Sequence, residues 1–165
     1  MSETQAMTVG QWRWLWLTVA VIALDQWTKQ LIVRAFQLGD TWVVLPVFNW
    51  VRAHNRGAAF SFLNASDGDW PRWLFSVLAI GVSVALIVWL KRLPRRAQLL
   101  AAALALILGG ALGNLIDRLR QGYVVDFIQV HWQQHYFPAF NVADSAITVG
   151  ACLLLLDTWL AGRSK

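Results

Sequence analysis

The stretch AQLLAAALALILGGALGNL, residues 97–115, contains no charged side chain. An α-helix rises about 1.5 Å per residue, so a helix of this length nearly matches the ~30 Å hydrocarbon core of a bilayer. Three further apolar stretches have comparable length, at residues 12–33, 73–90 and 142–160. The chain is therefore predicted to cross a membrane four times.

The composition supports an α-helical integral membrane protein. Hydrophobic residues make up 58% of the chain and charged residues 14%, which excludes an ordinary soluble protein. We expect a four-transmembrane-helix bundle forming a single membrane domain over residues 1–165, with outer loops at 34–72 and 116–141. A cleaved secretory signal peptide is the alternative for the first stretch. Three more spans follow it and no small-residue cleavage site does, so we expect this segment to be retained.

Basic residues predict the orientation of the chain. The segment KRLPRR, residues 91–96, lies between the second and third spans, and Arg163 and Lys165 follow the fourth. Short loops rich in Lys and Arg stay in the cytoplasm, so both termini are predicted to be cytoplasmic. These anchors account for most of the net charge of +5, and no nucleic-acid partner is expected.

The two outer loops contain strand-like sequence. TWVVLPVFNWV (residues 41–51) and YVVDFIQVHW (residues 123–132) are rich in β-branched and aromatic residues. We expect a small β element, accompanied by a short surface helix, on the outer end of the bundle.

The polar residues of the spans gather at the same outer end. They are Asp25 and Lys29 in the first span, Asn114, Asp117 and Arg118 in the third, and Asn141, Asp144 and Ser145 in the fourth. Spacings of three and four residues put each set on one helix face, which predicts a polar pocket under the loops. Structural alternatives remain open: a helix-face ion pair, a helix end whose charges reach the surface, and an N-cap at Asn141 with Asp144 in the first turn.

Nucleophilic and metal-dependent chemistry find little support in the sequence. No G-x-S-x-G motif occurs, Cys152 is expected to be buried at mid-span, and Asp25 would compete with Ser61 for Lys29. His131 and His135 stand in strand-like sequence, where their spacing does not favour a shared metal. Neither a metal nor a cofactor is predicted.

A pair of carboxylates remains, Asp126 in the second loop and Asp144 at the start of the fourth span. Two aspartates in a partly desolvated site share one proton, so one can act as an acid and the other as a base toward water. This chemistry suits peptide hydrolysis, and no sugar platform near the pair favours glycoside hydrolysis. A small ion-coupled transporter and a noncatalytic assembly subunit are the rival functions. Transport sites lie near the midplane, often in paired repeats, whereas these charges gather at one end.

Five motifs resemble those of the lipoprotein signal peptidases, also called signal peptidase II, which are membrane aspartyl peptidases of bacteria. They are DQWTK (25–29), HNRGAAFSF (54–62), GGALGNLIDR (109–118), GYVVDF (122–127) and FNVADS (140–145). The resemblance implies an endopeptidase that removes the signal peptide just before a diacylglyceryl-modified cysteine. It also implies a location in the bacterial inner membrane, with the site at the periplasmic face and the peptide antibiotic globomycin as an inhibitor. We expect a monomer that contacts membrane lipids.

Residue by residue, the resemblance implies that Asp126 and Asp144 are the catalytic dyad. The positions that it assigns to the pocket and to substrate binding are Asp25, Lys29, Asn55, Gly57, Asn114, Arg118 and Asn141. His54 and Arg56 depart from the family pattern and bear on loop contacts. If Asn141 caps the fourth span, the helix dipole favours the charged form of Asp144. We therefore predict that Asp144 is the base and Asp126 the acid.

Overall fold

The computed structural model describes residues 10–57 and 69–163. The helices of this part are α1 (Leu15–Ala35, preceded by a 3-10 turn, Trp12–Trp14), α2 (Trp70–Arg92), α3 (Gln98–Gln121) and α4 (Val142–Arg163). The strands are β1 (Thr41–Leu45), β2 (Phe48–Asn55), β3 (Val124–Trp132) and β4 (His135–Tyr136). Residues 58–62 of the second motif, with Ser61, and Lys165 lie outside the described residues.

Among the described residues, three helices, α2, α3 and α4, are long and apolar enough to cross a membrane. The helix α1 has 21 residues but carries Asp25 and Lys29 in its C-terminal half, and it is not one of these three. The helix α3 continues to Gln121, beyond the predicted end at residue 115. The prediction of a mostly helical, multi-pass membrane protein is confirmed at this level.

The helix ends follow from local chemistry. Pro71 stands in the first turn of α2, where its missing N–H costs nothing. Gly122 ends α3 with a φ of 82°, a left-handed conformation that suits glycine. At the end of α1, Nη1 of Arg52 donates to the carbonyl oxygens of Val33 (3.3 Å) and Phe36 (2.7 Å). Arg52 thereby ties β2 to the helix that precedes the sheet.

The helix α3 lies at the centre of the bundle and packs against α1, α2 and α4. Its backbone approaches α4 so closely that a Cβ at Gly110 would lie 2.3 Å from the carbonyl oxygen of Ala143 and 2.7 Å from Cγ1 of Ile147. A Cβ at Gly150 of α4 would lie 2.8 Å from the carbonyl oxygen of Ala103. Glycine at these contacts permits the close helix packing that stabilises proteins in a bilayer.

The predicted burial of Cys152 is wrong. Cys152 is exposed, because α4 packs against the bundle through the face that carries Ala143, Ala146 and Gly150. The opposite face of α4, which includes Cys152, points away from the other helices.

The strands form an antiparallel sheet in the order β1-β2-β3-β4. This confirms the small β element predicted from the two loops. Apart from the ends of α1, α2 and α3, the described parts of those loops contain no helix, so the predicted short surface helix is not found there. A bulge between Trp50 and Ala53 shifts the register of β2, and Ala53 then pairs with Asp126 while Asn55 pairs with Val124.

An apolar cluster seats the sheet on α1. Ile32 of α1 is buried against Val125 and Phe127 of β3, and Phe36 and Trp50 pack around them. Val125 and Phe127 flank Asp126 in the sequence, and side chains alternate along a strand. The apolar contacts on either side of Asp126 therefore hold this part of β3 over the C-terminal end of α1.

Gly110→Ala should destabilise the bundle by about 1–3 kcal/mol, because the added methyl overlaps the α4 backbone. The matched control is Gly81→Ala in α2, where a Cβ meets nothing within 4 Å and helix propensity favours alanine. Thermal unfolding in detergent should show a lower midpoint for the first variant and not for the second. Equal midpoints for the two variants would contradict the close α3–α4 contact.

Candidate active site

Asp126 lies in β3 and is almost completely buried, with 2% of its surface exposed. Its Oδ1 accepts a hydrogen bond from Nδ2 of Asn141 (2.7 Å), and its Oδ2 accepts one from Nδ2 of Asn55 (3.0 Å). The second contact follows from the pairing of β2 with β3. After the bulge, Asn55 lies at the end of β2, close to Asp126 in the neighbouring strand. Both oxygens of this carboxyl group are therefore held by amides.

Asp144 lies in the first turn of α4 and forms a reciprocal cap with Asn141. The backbone N–H of Asp144 donates to Oδ1 of Asn141 (2.9 Å), and the backbone N–H of Asn141 donates to Oδ2 of Asp144 (3.2 Å). This is the geometry of a capping box. The N-cap that the sequence left open is thus present, and the other oxygen of Asp144 still accepts from Nδ2 of Asn114 (2.8 Å).

Asn141 brings the two aspartates together, since its side chain contacts Asp126 and its backbone contacts Asp144. The two carboxyl groups are close enough to interact electrostatically. Burial, followed by the charge of Asp144, raises the pKa of Asp126 to about 7, while hydrogen bonds from Asn55 and Asn141 act in the opposite direction. Near neutral pH, Asp126 can therefore hold or release a proton.

Lys29 orients the amide beside Asp144. Its Nζ donates to Oδ1 of Asn114 (3.0 Å), and an ammonium group can donate but not accept. The amide of Asn114 must then turn its Nδ2 toward Asp144, as observed. Oδ1 of Asn114 also accepts from Nδ2 of Asn141 (3.2 Å). The same Nδ2 of Asn141 donates to Oδ1 of Asp126.

Two further carboxylates complete the surroundings of Lys29, whose side chain is 2% exposed. Its Nζ lies 2.8 Å from Oδ2 of Asp25 and 3.0 Å from Oδ2 of Asp117. Asp25 accepts from the backbone N–H of Ala143 (2.9 Å), and Asp117 accepts from that of Val125 (3.2 Å). Each carboxylate thus anchors the residue that immediately precedes one of the two aspartates.

Asp25 and Lys29 therefore support the site from behind, which agrees with the structural alternative that the sequence left open. Gln26 of this layer was not predicted, and Asp117 was predicted as a polar residue of this end of the bundle but not as a partner of Lys29. Gln26 Nε2 donates to Oδ1 of Asp117 (2.9 Å) and to the carbonyl oxygen of Gly113 (3.2 Å). A lysine in a predicted span needs compensating charge, and Asp117 stands at the same predicted depth, so the sequence could have identified Asp117 as its partner.

Hydrogen bonds link Arg118, Gly57 and Asn55 in a chain that ends at Asp126. The backbone N–H of Gly57 donates to Oδ1 of Asn55 (3.0 Å), which turns Nδ2 of that amide toward Asp126. Nη2 of Arg118 donates to the carbonyl oxygen of Gly57 (2.8 Å), and its guanidinium lies 5.4 Å from the ring centroid of Phe75. Arg118 is buried, so it is not a charged helix end that reaches the surface.

A cavity of about 440 Å³ lies beside these groups. Asn55 and Asp144 line its polar end, and the remaining walls are residues 137–140 and the side of α4 that carries Ser145, Ile147, Thr148 and Val149. Its surface is mostly apolar. The arrangement can therefore place an apolar group next to a carboxylate pair that exchanges protons.

The family model described as "Signal peptidase (SPase) II" matches residues 17–160. The chain belongs to this family. It is a protease, and the family makes it an aspartyl peptidase, as the five motifs predicted.

Close relatives carry the name "Lipoprotein signal peptidase". The protein of Pseudomonas putida is 54% identical, over 100% of this chain and 97% of its own length. The protein of Pseudomonas syringae pv. tomato is 57% identical, over 95% of this chain and 91% of its own length. The protein of Pseudomonas aeruginosa is 56% identical, over 94% of this chain and 92% of its own length. A solved structure described as a bacterial membrane enzyme matches with a TM-score of 0.83 and 31% identity, over 93% of this chain and 91% of that chain.

The pH dependence of peptidase activity should report the contact between Asn55 and Asp126. An acid loses function as pH rises through its pKa, so activity should fall on the alkaline side near pH 7. The hydrogen bond from Asn55 stabilises the carboxylate, so Asn55→Ala should raise the pKa of Asp126 and move this fall upward by about one pH unit.

The measurement is kcat/KM against pH. Asn49→Ala is the matched control, because Asn49 is also buried in β2 but donates to Gln129 (3.3 Å), away from the aspartates. The control should keep the wild-type profile. An alkaline limb that does not move in Asn55→Ala would argue against Asp126 as the acid.

Proposed function

We propose that this peptidase removes signal peptides from prolipoproteins with Asp126 and Asp144 as its catalytic pair, cutting just before a lipid-modified cysteine. The observation that carries the proposal is the contact of Asn141 with both aspartates, of which Asp144 lines an apolar cavity. Membership of the signal peptidase II family supports the same reaction.

The two aspartates have different roles in this proposal. Asp144 is the base, because its capping position at the N-terminus of α4 favours the carboxylate. It removes a proton from a water molecule, whose oxygen attacks the scissile carbonyl carbon. Asp126 is the acid, since burial raises its pKa to about 7, and it transfers its proton to the leaving amine nitrogen.

The neighbouring residues shape and orient the pocket. Asn55, Asn114 and Asn141 fix the directions of the carboxyl groups. Arg118 positions the turn at Gly57 by donating to the carbonyl oxygen of Gly57. Asn55 also lines the cavity, where it can contact the substrate peptide. Asp25 holds the backbone N–H of Ala143 and Lys29 orients the amide of Asn114, so both serve substrate binding indirectly.

The substrate is a prolipoprotein that carries a diacylglyceryl group on the cysteine after the cleavage site. The cavity combines an apolar wall along α4 with a polar end at Asp144, which suits a lipid-anchored peptide at the membrane interface. Binding energy from the acyl chains is remote from the bond cut and helps to place it. The same cavity would accept globomycin as an inhibitor.

The enzyme acts as a monomer in the bacterial inner membrane, as one membrane domain with four spans. We include α1 as a span because its Asp25 and Lys29 are buried and paired, which lowers the cost of crossing lipid. The basic segment 91–96 and Arg163 then lie in the cytoplasm with both termini. The aspartate pair, at the opposite ends of the helices, faces the periplasm.

Replacement of either aspartate should stop cleavage while the fold is kept. Asp126→Asn and Asp144→Asn should each lower kcat by at least about 10²-fold, the usual contribution of a positioned acid or base. Asp157→Asn, near the cytoplasmic end of α4, is the control and should cleave normally. Near-normal turnover by a folded Asp126→Asn protein would exclude the proposed pair.

A precursor without its lipid should be a poor substrate. Burial of a methylene contributes about 0.8 kcal/mol, so four buried methylenes correspond to about 10²-fold in kcat/KM. Release of the signal peptide can be compared for one precursor with and without the diacylglyceryl group. Equal rates would show that the cavity does not use the lipid.

A further inference from the structure

A second, polar cavity of about 170 Å³ lies between the outer ends of α1 and α3, beneath β3. Its lining residues are Gln26, Lys29, Gln30, Val33, Asp117, Arg120, Gln121 and Val125. It shares no lining residue with the larger cavity beside Asp144. The proposed peptidase reaction gives this cleft no role.

The cleft has an excess of hydrogen-bond donors over acceptors. The oxygens of Asp117 already accept from Lys29, Gln26 and Val125. Within the described part of the chain, the exposed Arg120 forms no ion pair with a carboxylate. Its guanidinium presents five donors and no acceptor, so the group that fits beside it carries anionic oxygens.

The charge of the lining agrees with an anionic ligand. Of the two cations in the lining, Lys29 already has Asp25 and Asp117 as partners, so Arg120 is the cation whose charge is not paired with a carboxylate among the described residues. Gln30, which is exposed on α1, adds an amide at the same opening. A cleft of this volume is too small for a drug-sized molecule, whose pockets begin at about 300 Å³, but it can take a head group.

The depth of the cleft identifies the source of such oxygens. Arg120 is one residue from the end of α3, and Gln30 lies five residues before the end of α1. At about 1.5 Å per residue, both side chains are within about 8 Å of the helix ends, which is the depth of the polar layer of a bilayer. The exposed side chains of Trp27 and Leu31 on α1 continue from that layer toward lipid. Basic pockets between membrane helices bind lipid head groups.

We propose that this cleft binds the phosphate of a membrane phospholipid, with Arg120 as its principal ligand. The phosphate lies against the guanidinium of Arg120 and the amide of Gln30, while the acyl chains follow the apolar outer surface of α1. The site is independent of the reaction at the aspartates, so it can be tested without substrate.

The test is native mass spectrometry of the full-length protein in detergent, titrated with dioleoyl phosphatidylglycerol, dioleoyl phosphatidylcholine, dioleoylglycerol or inorganic phosphate. Both phospholipids should bind, and dioleoylglycerol, which lacks phosphate, should not. Arg120→Gln should weaken phospholipid binding by about tenfold, because it removes charged hydrogen bonds. Arg34→Gln is the matched control, since Arg34 is exposed near the end of α1 but outside the cleft, and it should bind as the wild type does.

The proposal would be overturned if Arg120→Gln bound phospholipid as well as the wild type does. It would also be overturned if Arg34→Gln lost as much phospholipid binding as Arg120→Gln. Equal binding of dioleoylglycerol would show that the acyl chains suffice. Inorganic phosphate that binds in an Arg120-dependent way, without displacement by phospholipid, would assign the cleft to a free anion instead. Gln30→Leu provides a second variant that keeps the charge, and it should also weaken phospholipid binding.

Discussion

The structure depends on the burial of one ammonium group. Lys29 lies inside α1 at a position where an unpaired charge would cost several kcal/mol, so the bundle must bring compensating groups to it. Asp25 from the same helix and Asp117 and Asn114 from α3 meet this need at 2.8–3.0 Å. Two helices are thereby held in one relative position at their outer ends. The close approach of α3 to its neighbours, permitted by glycine, makes such short contacts possible.

The same cluster sets the geometry of the proposed catalytic pair. The carboxylates paired with Lys29 hold the backbone N–H groups of Ala143 and Val125, one residue before Asp144 and Asp126 respectively. The strand and the helix that carry the pair are thus fixed to a common support. Their environments still differ, because Asp144 caps a helix while Asp126 lies in a buried strand. This difference is the physical basis for assigning a base and an acid to chemically identical side chains.

Much of the fold could be predicted, because length and hydrophobicity are properties of local sequence. The span at residues 97–115 and the strand-like loops correspond to α3 and the small sheet. The chemical types of the residues also limited the candidates for the site, because few polar residues in so apolar a chain can perform hydrolysis. The burial of Cys152 was predicted wrongly, because hydrophobicity does not distinguish a helix face that meets protein from one that meets lipid. Gln26, and the pairing of Asp117 with Lys29, were missed for a related reason: the partners come from different elements.

The sequence by itself determined that the chain is a membrane protein, that its polar residues collect at one end, and which motifs it shares with the signal peptidase II family. These properties depend on the order and chemical type of the residues. Tertiary structure alone decided that Asn141 contacts both aspartates and that Asp25 and Lys29 lie behind them. It also decided that a donor-rich cleft opens between α1 and α3. The cap of Asn141 with Asp144 and the pair of Asp25 with Lys29 are local, but the contacts of Asn141 with Asp126 and of Lys29 with α3 join residues far apart in the chain, which only the packing of the helices and the sheet brings together.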